Sequence, residues 1–392
     1  MTSSLPPELT DVIISHLDDD LRSLRASGLV CRTWLPASRS PLYRYLKIKD
    51  ADVDRFLSLL SSPHNTFFST VWALELVLLS SESKTTQLIT HLSQFSRLEG
   101  LAIVMREVPY DLVPTLPSVT ALKLRIAHAP PIPQLHRFIS RLPMLKQFRL
   151  GTIRRNERPF FPASPMAISS LVATELEEVA MDGVCFASTV LVDWLISTPR
   201  VASRCLSLEL SGFHPDLVAE GVSRALKSLG PHIHDLRLSF SDVAIASDLP
   251  GKLTEGGGLD FCTALTTVQI SGLIRFIPQR QRPGRLWLLD ISPSLHVLLR
   301  RLQPTGVRVL VLDVDTCCLA DAHTPAHMDS VILALVDTIS LYEVGSESGL
   351  EGLEFHGKWG GARSWFREHL EVAFVALLPP AVRFKVRFVE QV

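Results

Sequence analysis

"VTALKLRI", residues 119–126, decides how this chain is read. Val119, Leu122 and Leu124 are apolar, and the residues that alternate with the last two, Lys123 and Arg125, are charged. Alternation of this kind marks a strand with one buried face and one wet face. The same spacing (apolar, two residues, apolar, one residue, apolar) recurs along the chain. It begins at Val71, Leu74 and Leu76 and returns at Leu98, Leu101 and Ile103, then at Leu145, Phe148 and Leu150. It continues as Leu176, Val179 and Met181, then Cys205, Leu208 and Leu210, and Ile233, Leu236 and Leu238. The last occurrences centre on Val268, Leu289, Leu310 and Leu353. The eleven central positions, from 74 to 353, lie close to 28 residues apart on average, at intervals of 21 to 43.

A strand with a helical or irregular return, repeated every 20–29 residues or so, is the leucine-rich-repeat scheme. Such a unit cannot bury its own apolar face, so neighbours must stack into a solenoid. Three returns read as helices: residues 133–143, 213–230 (a Pro and Asp start, an apolar face, a closing Gly) and 328–343. The Asn or Cys usual at the ninth repeat position is missing throughout, and the chain has only two asparagines, Asn65 and Asn156. Without a side-chain amide ladder the solenoid is expected to be irregular. The predicted fold class is therefore α/β, with a short N-terminal helical module at 1–48, a linker at 49–70 and an irregular leucine-rich-repeat-like solenoid at 71–392. An irregular α/β domain without true repeats is the competing reading.

Composition limits the function. The 392 residues are 46% hydrophobic, enough for a substantial core, and Lys plus Arg (39) nearly balances Asp plus Glu (40). That balance gives no long-range field favouring nucleic acid or an anionic membrane, and neither is expected as a partner. Glu8 and Asp11 interrupt any signal-peptide pattern, and no apolar run is long enough to span a bilayer. Six scattered cysteines without CxxC spacing read as reduced, mostly buried thiols of a cytoplasmic or nuclear protein.

Residues 5–48 form the helical module. Pro6 and Pro7 suit a first helical turn, and Leu9, Ile13 and Leu17 fall four apart, on one helical face. Asp18, Asp19 and Asp20 stop that helix and offer a cap to the next, which carries Leu24. "GLVCRTW" (28–34) follows, and Pro36 and Pro41 punctuate the passage to "LYRYLKI". About 44 residues is near the limit for an independently stable helical unit, and several large apolar side chains left in water invite association.

"LPPEL", "IISHLDDDLRSL", "LVCRTW" and "SPLYRYL" together resemble an F-box, the helical module of substrate receptors in Skp–cullin–F-box ubiquitin ligases, above all the F-box-like proteins abundant in mushroom-forming fungi. The pattern departs from the family at residues 26–28, where a small insert is expected between the second and third helices. The resemblance implies a receptor that does no chemistry. It would bind a Skp-type adaptor, and through it the cullin complex, by its N-terminal module, and a target protein by the rest. Carried over by motif, Leu5, Pro6, Leu9, Ile13, Leu17, Leu24, Val30, Cys31 and Trp34 are the adaptor-contact or module-core candidates.

Target-binding candidates follow from repeat geometry, since the third, fifth and seventh positions face one side of a solenoid. They are Lys123, Arg125 and Arg149 in the early repeats, then Glu178, Asp182, Glu209, Asp235 and Arg237, giving a surface basic first and acidic after. No catalytic, cofactor or metal site is expected. "GGGLD" (256–260) lacks the spacing and lysine of a phosphate loop and reads as a flexible connection. "HIHD" (232–235) lacks a close third ligand, and "LDVDTCC" (312–318), whose adjacent cysteines do not easily point at one tetrahedral metal, reads as a strand end with buried thiols. The arginines of 274–285 read as a solvated loop. An enzyme with an unrecognised site in 250–330 is the reading from another class.

Overall fold

A computed structural model describes residues 6–17, 20–62, 68–79, 82–127, 131–153, 176–186, 188–197, 204–210, 215–240, 243–278, 287–302, 306–315, 350–357 and 386–390. Residues 333, 336, 367–368, 370–372 and 376 complete the set. The described residues fall into two compact units, one up to 153 and one from 176 onward. No described helix is long and apolar enough to cross a membrane.

The first unit opens with three helices, α1 (Pro7–Ser15), α2 (Leu21–Ser27) and α3 (Trp34–Arg44). Pro7 stands at the start of α1, where a missing N–H costs nothing. The Asp20 carboxylate caps α2, accepting the Arg22 and Ser23 N–H groups at 3.0 and 3.1 Å. These bonds, with the Ser23 hydroxyl first among them, hold the Asp20 carboxyl below its usual range. Ala26 and Ser27 complete α2 instead of forming an insert. Pro36 and Pro41, expected as punctuation, lie inside α3. Pro36 falls in the first turn, where N–H groups have no helical partner; Pro41 forgoes one bond near the helix end.

Five strands follow: β1 (Tyr45–Lys49), β2 (Ala73–Leu78), β3 (Gly100–Met105), β4 (Ala121–Ile126) and β5 (Gln147–Thr152). Each pairs in parallel with the one before it in the chain. Residues 49–70, expected as a linker, contain α4 (Val53–Leu60), whose Val53, Phe56 and Leu60 are buried. α5 (Glu82–Thr90) and α6 (Ile132–Ser140) are returns between strands, α6 matching the expected 133–143 helix. In register, Leu74, Leu101, Leu122 and Phe148 form one buried row, and Leu76, Ile103, Leu124 and Leu150 the next. Burying each such side chain contributes roughly 1.5–3 kcal/mol, so these rows hold the sheet. Parallel sheets are usually covered on both faces. Here the second face carries Lys47, Glu75, Lys123, Arg125 and Arg149, exposed or half-exposed in alternation with the core.

The second unit contains β6 (Glu178–Asp182), α7 (Gly183–Phe186), α8 (Thr189–Ser197), β7 (Cys205–Leu210), α9 (Pro215–Leu229), β8 (Asp235–Phe240), α10 (Val243–Glu255), β9 (Thr267–Pro278), β10 (Trp287–Ile291), α11 (Pro293–Leu302), β11 (Val309–Asp315), β12 (Gly352–Gly357) and β13 (Val386–Glu390). Strands β6, β7, β8, β9, β11, β12 and β13 pair side by side in parallel, in chain order. α9 reproduces the expected 213–230 helix, with Val218, Val222, Ala225, Leu226 and Leu229 turned inward. The expected helix at 328–343 lies largely outside the described residues.

Two expectations about the repeat register are corrected. Leu206, not Leu208, stands beside Val179 and Leu236, and Leu208 pairs with Met181 and Leu238 two residues further on. A period-two pattern reads the same after a two-residue slip, so "CLSLEL" alone does not distinguish them. Leu289 does not centre a parallel repeat, because β10 runs antiparallel to the far end of β9. The ladder between β9 and β11 shifts where Ser271 faces Asp313 and Ile274 faces Val314. Gly272 sits in that bulge with φ +80°, a conformation available to glycine at no steric cost.

Candidate functional site

Two kinds of exposed surface stand out among the described residues. The first lies on the N-terminal helices. Thr10 and Ile14 of α1 point inward, and Leu24 of α2 is fully buried, so these side chains form the module's own core. Leu9, Val12 and Ile13 occupy the opposite face of α1 and are 51, 54 and 43% exposed. In the turn between α2 and α3, Leu29 and Val30 are 88 and 63% exposed. Pro6 is exposed, Leu17 and Trp34 are half-buried, and Leu5 lies outside the described residues. Cys31 is also exposed; the Thr33 hydroxyl at 3.0 Å and the Trp34 N–H hold its thiol below the usual range. Sequence reasoning missed Val12 and Leu29, although the helical i, i+3 relation of Leu9 to Val12 carries the signal.

The second surface is the strand face opposite the core rows, exposed in the first unit and partly buried in the second. In the first unit, Lys123 and Arg149 stand directly beside each other in register, and Arg125 lies two residues along β4. Glu75 is engaged from one side: the Lys47 ammonium reaches it at 2.7 Å and the Tyr45 hydroxyl donates to its second oxygen. These two bonds, Lys47 first, hold the Glu75 carboxyl below its usual range, and the nearby Lys123 charge acts the same way. The bond to Glu75 raises Tyr45 to about 12. Beside this group, Ala73, Gly100 and Ala121 form one cross-strand row without bulk. They floor a hollow of about 210 Å³ with Lys123, Gln147 and Arg149 on its wall. A larger cleft of about 1180 Å³ adjoins the same row, bounded by Arg25 of α2, Arg44 of α3 and Trp72.

In the second unit the predicted acidic residues share the open face but differ in availability. Glu178 and Asp182 are buried. The Asp182 carboxylate accepts the Cys185 N–H at 3.1 Å, so it caps α7. Arg237 lies 3.6 Å from Glu178 and answers that charge. Glu209 is exposed and Asp235 half-exposed. Further along the face is a polar cluster that sequence reasoning did not select. Gln269 donates to both Asp313 oxygens at 3.1 and 2.9 Å, and the Ser271 hydroxyl donates to the same carboxylate. His356 Nε2 lies 3.0 Å from Glu354, which also faces Arg387 at 3.7 Å. Strand register brings Gln269 and Ser271 to Asp313 across 44 and 42 positions of sequence, and Glu354 to Arg387 across 33, distances no local motif spans.

The remaining motifs resolve into structure. Gly256 and Gly258 press against Ser223 of α9, where an added Cβ would meet Ser223 atoms at 2.3 and 2.8 Å, and Gly257 takes φ +65°. "GGGLD" is thus a close-packed contact, not a flexible connection. Ile233 is fully buried, and His234 Nδ1 lies 3.0 Å from the His232 carbonyl oxygen. Among the described residues no three His, Cys, Asp or Glu side chains converge as a metal site. Cys185, Cys205 and Cys262 are buried, and burial raises Cys262 to about 12. Cys317, Cys318 and the arginines at 280, 282 and 285 lie outside the described residues.

No family model and no curated protein matches the chain. Among solved structures, a Bacteroides fragilis protein from a structural-genomics programme aligns over 88% of this chain and 73% of its own, at 10% identity and a TM-score of 0.30. A likeness at that score carries no argument about fold or function.

Proposed function

We propose that this chain is a substrate receptor of a Skp–cullin–F-box ubiquitin ligase, working in the cytoplasm or nucleus and carrying no chemistry of its own. Residues 1–48 act as the F-box module. The parallel-strand units form an irregular leucine-rich-repeat-like domain that holds a target protein while the ligase modifies it. The observation that carries the reading is the solvent-facing apolar surface of Leu9, Val12, Ile13, Leu29 and Val30. A module this small has no stability reason to leave five large apolar side chains in water, and their burial against a partner is favourable at about 25 cal/mol per Å². Support for the second half comes from core rows that recur at about the 20–29-residue spacing of leucine-rich repeats in the first unit, with one sheet face left open.

Capture of the full chain by an immobilised fungal Skp adaptor tests this directly. Wild type is retained; Leu9→Asp/Ile13→Asp loses at least tenfold in binding, and Pro6→Ala/Trp34→Ala loses less. Circular dichroism of each variant checks that the fold persists. A wild-type chain that the adaptor does not retain contradicts the proposal. Retention without ubiquitination of any bound protein favours a non-degradative scaffold.

A further inference from the structure

The cleft of about 1180 Å³ lies where the N-terminal helices meet the leading ends of the first strands. Ligand sites commonly enclose about 300–1,000 Å³, so a small organic molecule fits here with room to spare. Its floor is the row Ala73, Gly100 and Ala121, in register on three adjacent strands and without a side chain beyond Cβ. Leu21, Leu42 and Tyr45 supply an apolar wall, and Leu21 and Tyr45 are more than half exposed. Backbone at this end is already engaged, since the Arg44, Trp72 and Glu99 carbonyls each accept an N–H from the segment leading into the next strand. A ligand in the cleft is therefore recognised by side chains.

Two guanidinium groups from different elements border the cleft, Arg25 from α2 and Arg44 from the end of α3. Both residues are exposed, and neither forms an ion pair or a side-chain hydrogen bond among the described residues. Glu99 is the carboxylate among the lining residues; it leads β3, with Trp72 between it and Arg44. Arg44 is stacked over Trp72, its guanidinium carbon 4.6 Å from the ring centroid. Stacking fixes the plane of a guanidinium and leaves its edge N–H groups free, the arrangement that grips an oxyanion by two parallel bonds. A positive charge also suits the last turn of α2 and of α3, but a lysine would serve that purpose equally. The helix ends do not explain a stacked arginine beside an open apolar cavity. Independently of the receptor reading, we infer that this cleft binds a small organic oxyanion, a carboxylate or phosphate carried on an apolar or aromatic body. The oxyanion meets the edge of Arg44, with Arg25 as the second cation. The body lies over the small floor, against Leu21, Leu42 and Tyr45.

Ligand-observed NMR of the full chain with phenyl phosphate and with benzoate, and with benzylamine as a cationic control of similar size, tests the inference. At least one aryl anion binds, the tighter of the two identifies the oxyanion, and benzylamine does not bind. Inorganic phosphate and acetate, which lack the body, bind at least tenfold more weakly than their aryl counterparts. Arg44→Lys keeps the charge but loses the fork and the stack, and it weakens binding at least tenfold; Arg25→Gln weakens it at least threefold. Arg97→Gln/Arg106→Gln, at exposed positions of the same unit that line neither cavity, leaves binding unchanged. Circular dichroism checks that each variant is folded. Absence of binding by both aryl anions, or benzylamine binding as tightly as they do, overturns the inference. Wild-type affinity in folded Arg44→Lys or Arg25→Gln also overturns it, since bare surface charge or some other site then suffices.

Discussion

Glu75 shows how one residue ties the open face to the sheet. Its carboxylate, about one-fifth exposed, takes bonds from Lys47 and Tyr45 on the neighbouring strand β1 and joins the first two strands from the solvent side. Because its folded pKa lies below the ordinary 4.5, its contribution to stability is complete above that value and is lost as pH falls through the folded one. Glu75→Gln is therefore expected to lower stability at pH 7 by roughly 0.5–1.5 kcal/mol, with the gap from wild type shrinking at a pH below the lowered folded value. Thermal melts of both proteins at the two pH values measure this; a gap that persists in acid assigns the loss to packing. The strand alternation around Glu75 was legible in sequence, but its bonding was not. Tyr45 and Lys47 lie about 30 residues upstream, on a strand absent from the repeat pattern because Pro41 suggested a break where the helix in fact continues into β1.

At the scale of elements, apolar periodicity identified most of the parallel strands and two of the three expected helices, since a half-buried strand and an amphipathic helix each write their period into the chain. It failed where period alone is ambiguous. β7 slipped by two residues, and β10 carries the apolar spacing of a repeat strand yet pairs antiparallel, a difference of chain direction that composition does not encode. The glycine run at 256–258 misled for another reason. Glycine signals either freedom or close approach, and here Ser223 of α9 decides for close approach. Gly258→Ala is expected to destabilise the second unit by about 1–3 kcal/mol, because backbone atoms of Ser223 stand where the methyl must go. Gly251→Ala, with nothing within 4 Å, should cost little or even stabilise its helix. Urea denaturation followed by circular dichroism compares the two; equal effects would mean that the packing argument is wrong.

At the scale of the whole molecule, a helical N-terminal segment keeps apolar side chains in water, and the first unit's parallel sheet keeps one face exposed. Leu24 and Ile14 show that the helices have a core of their own, so the exposure of Leu9, Val12 and Ile13 is a property of the opposite face and not of an unfolded segment. The target-binding residues read from sequence divide in the same way. Lys123 and Arg149 face solvent beside a cleft, whereas Asp182 is spent on capping a helix. Isothermal titration of the full chain with a purified Skp-type adaptor is the sharpest test of the proposed adaptor binding. One-to-one binding with a negative heat-capacity change, the mark of apolar burial, is expected, with loss of both in Leu9→Asp/Ile13→Asp. No heat of binding from the wild-type chain, or equal binding by the folded double variant, would contradict it.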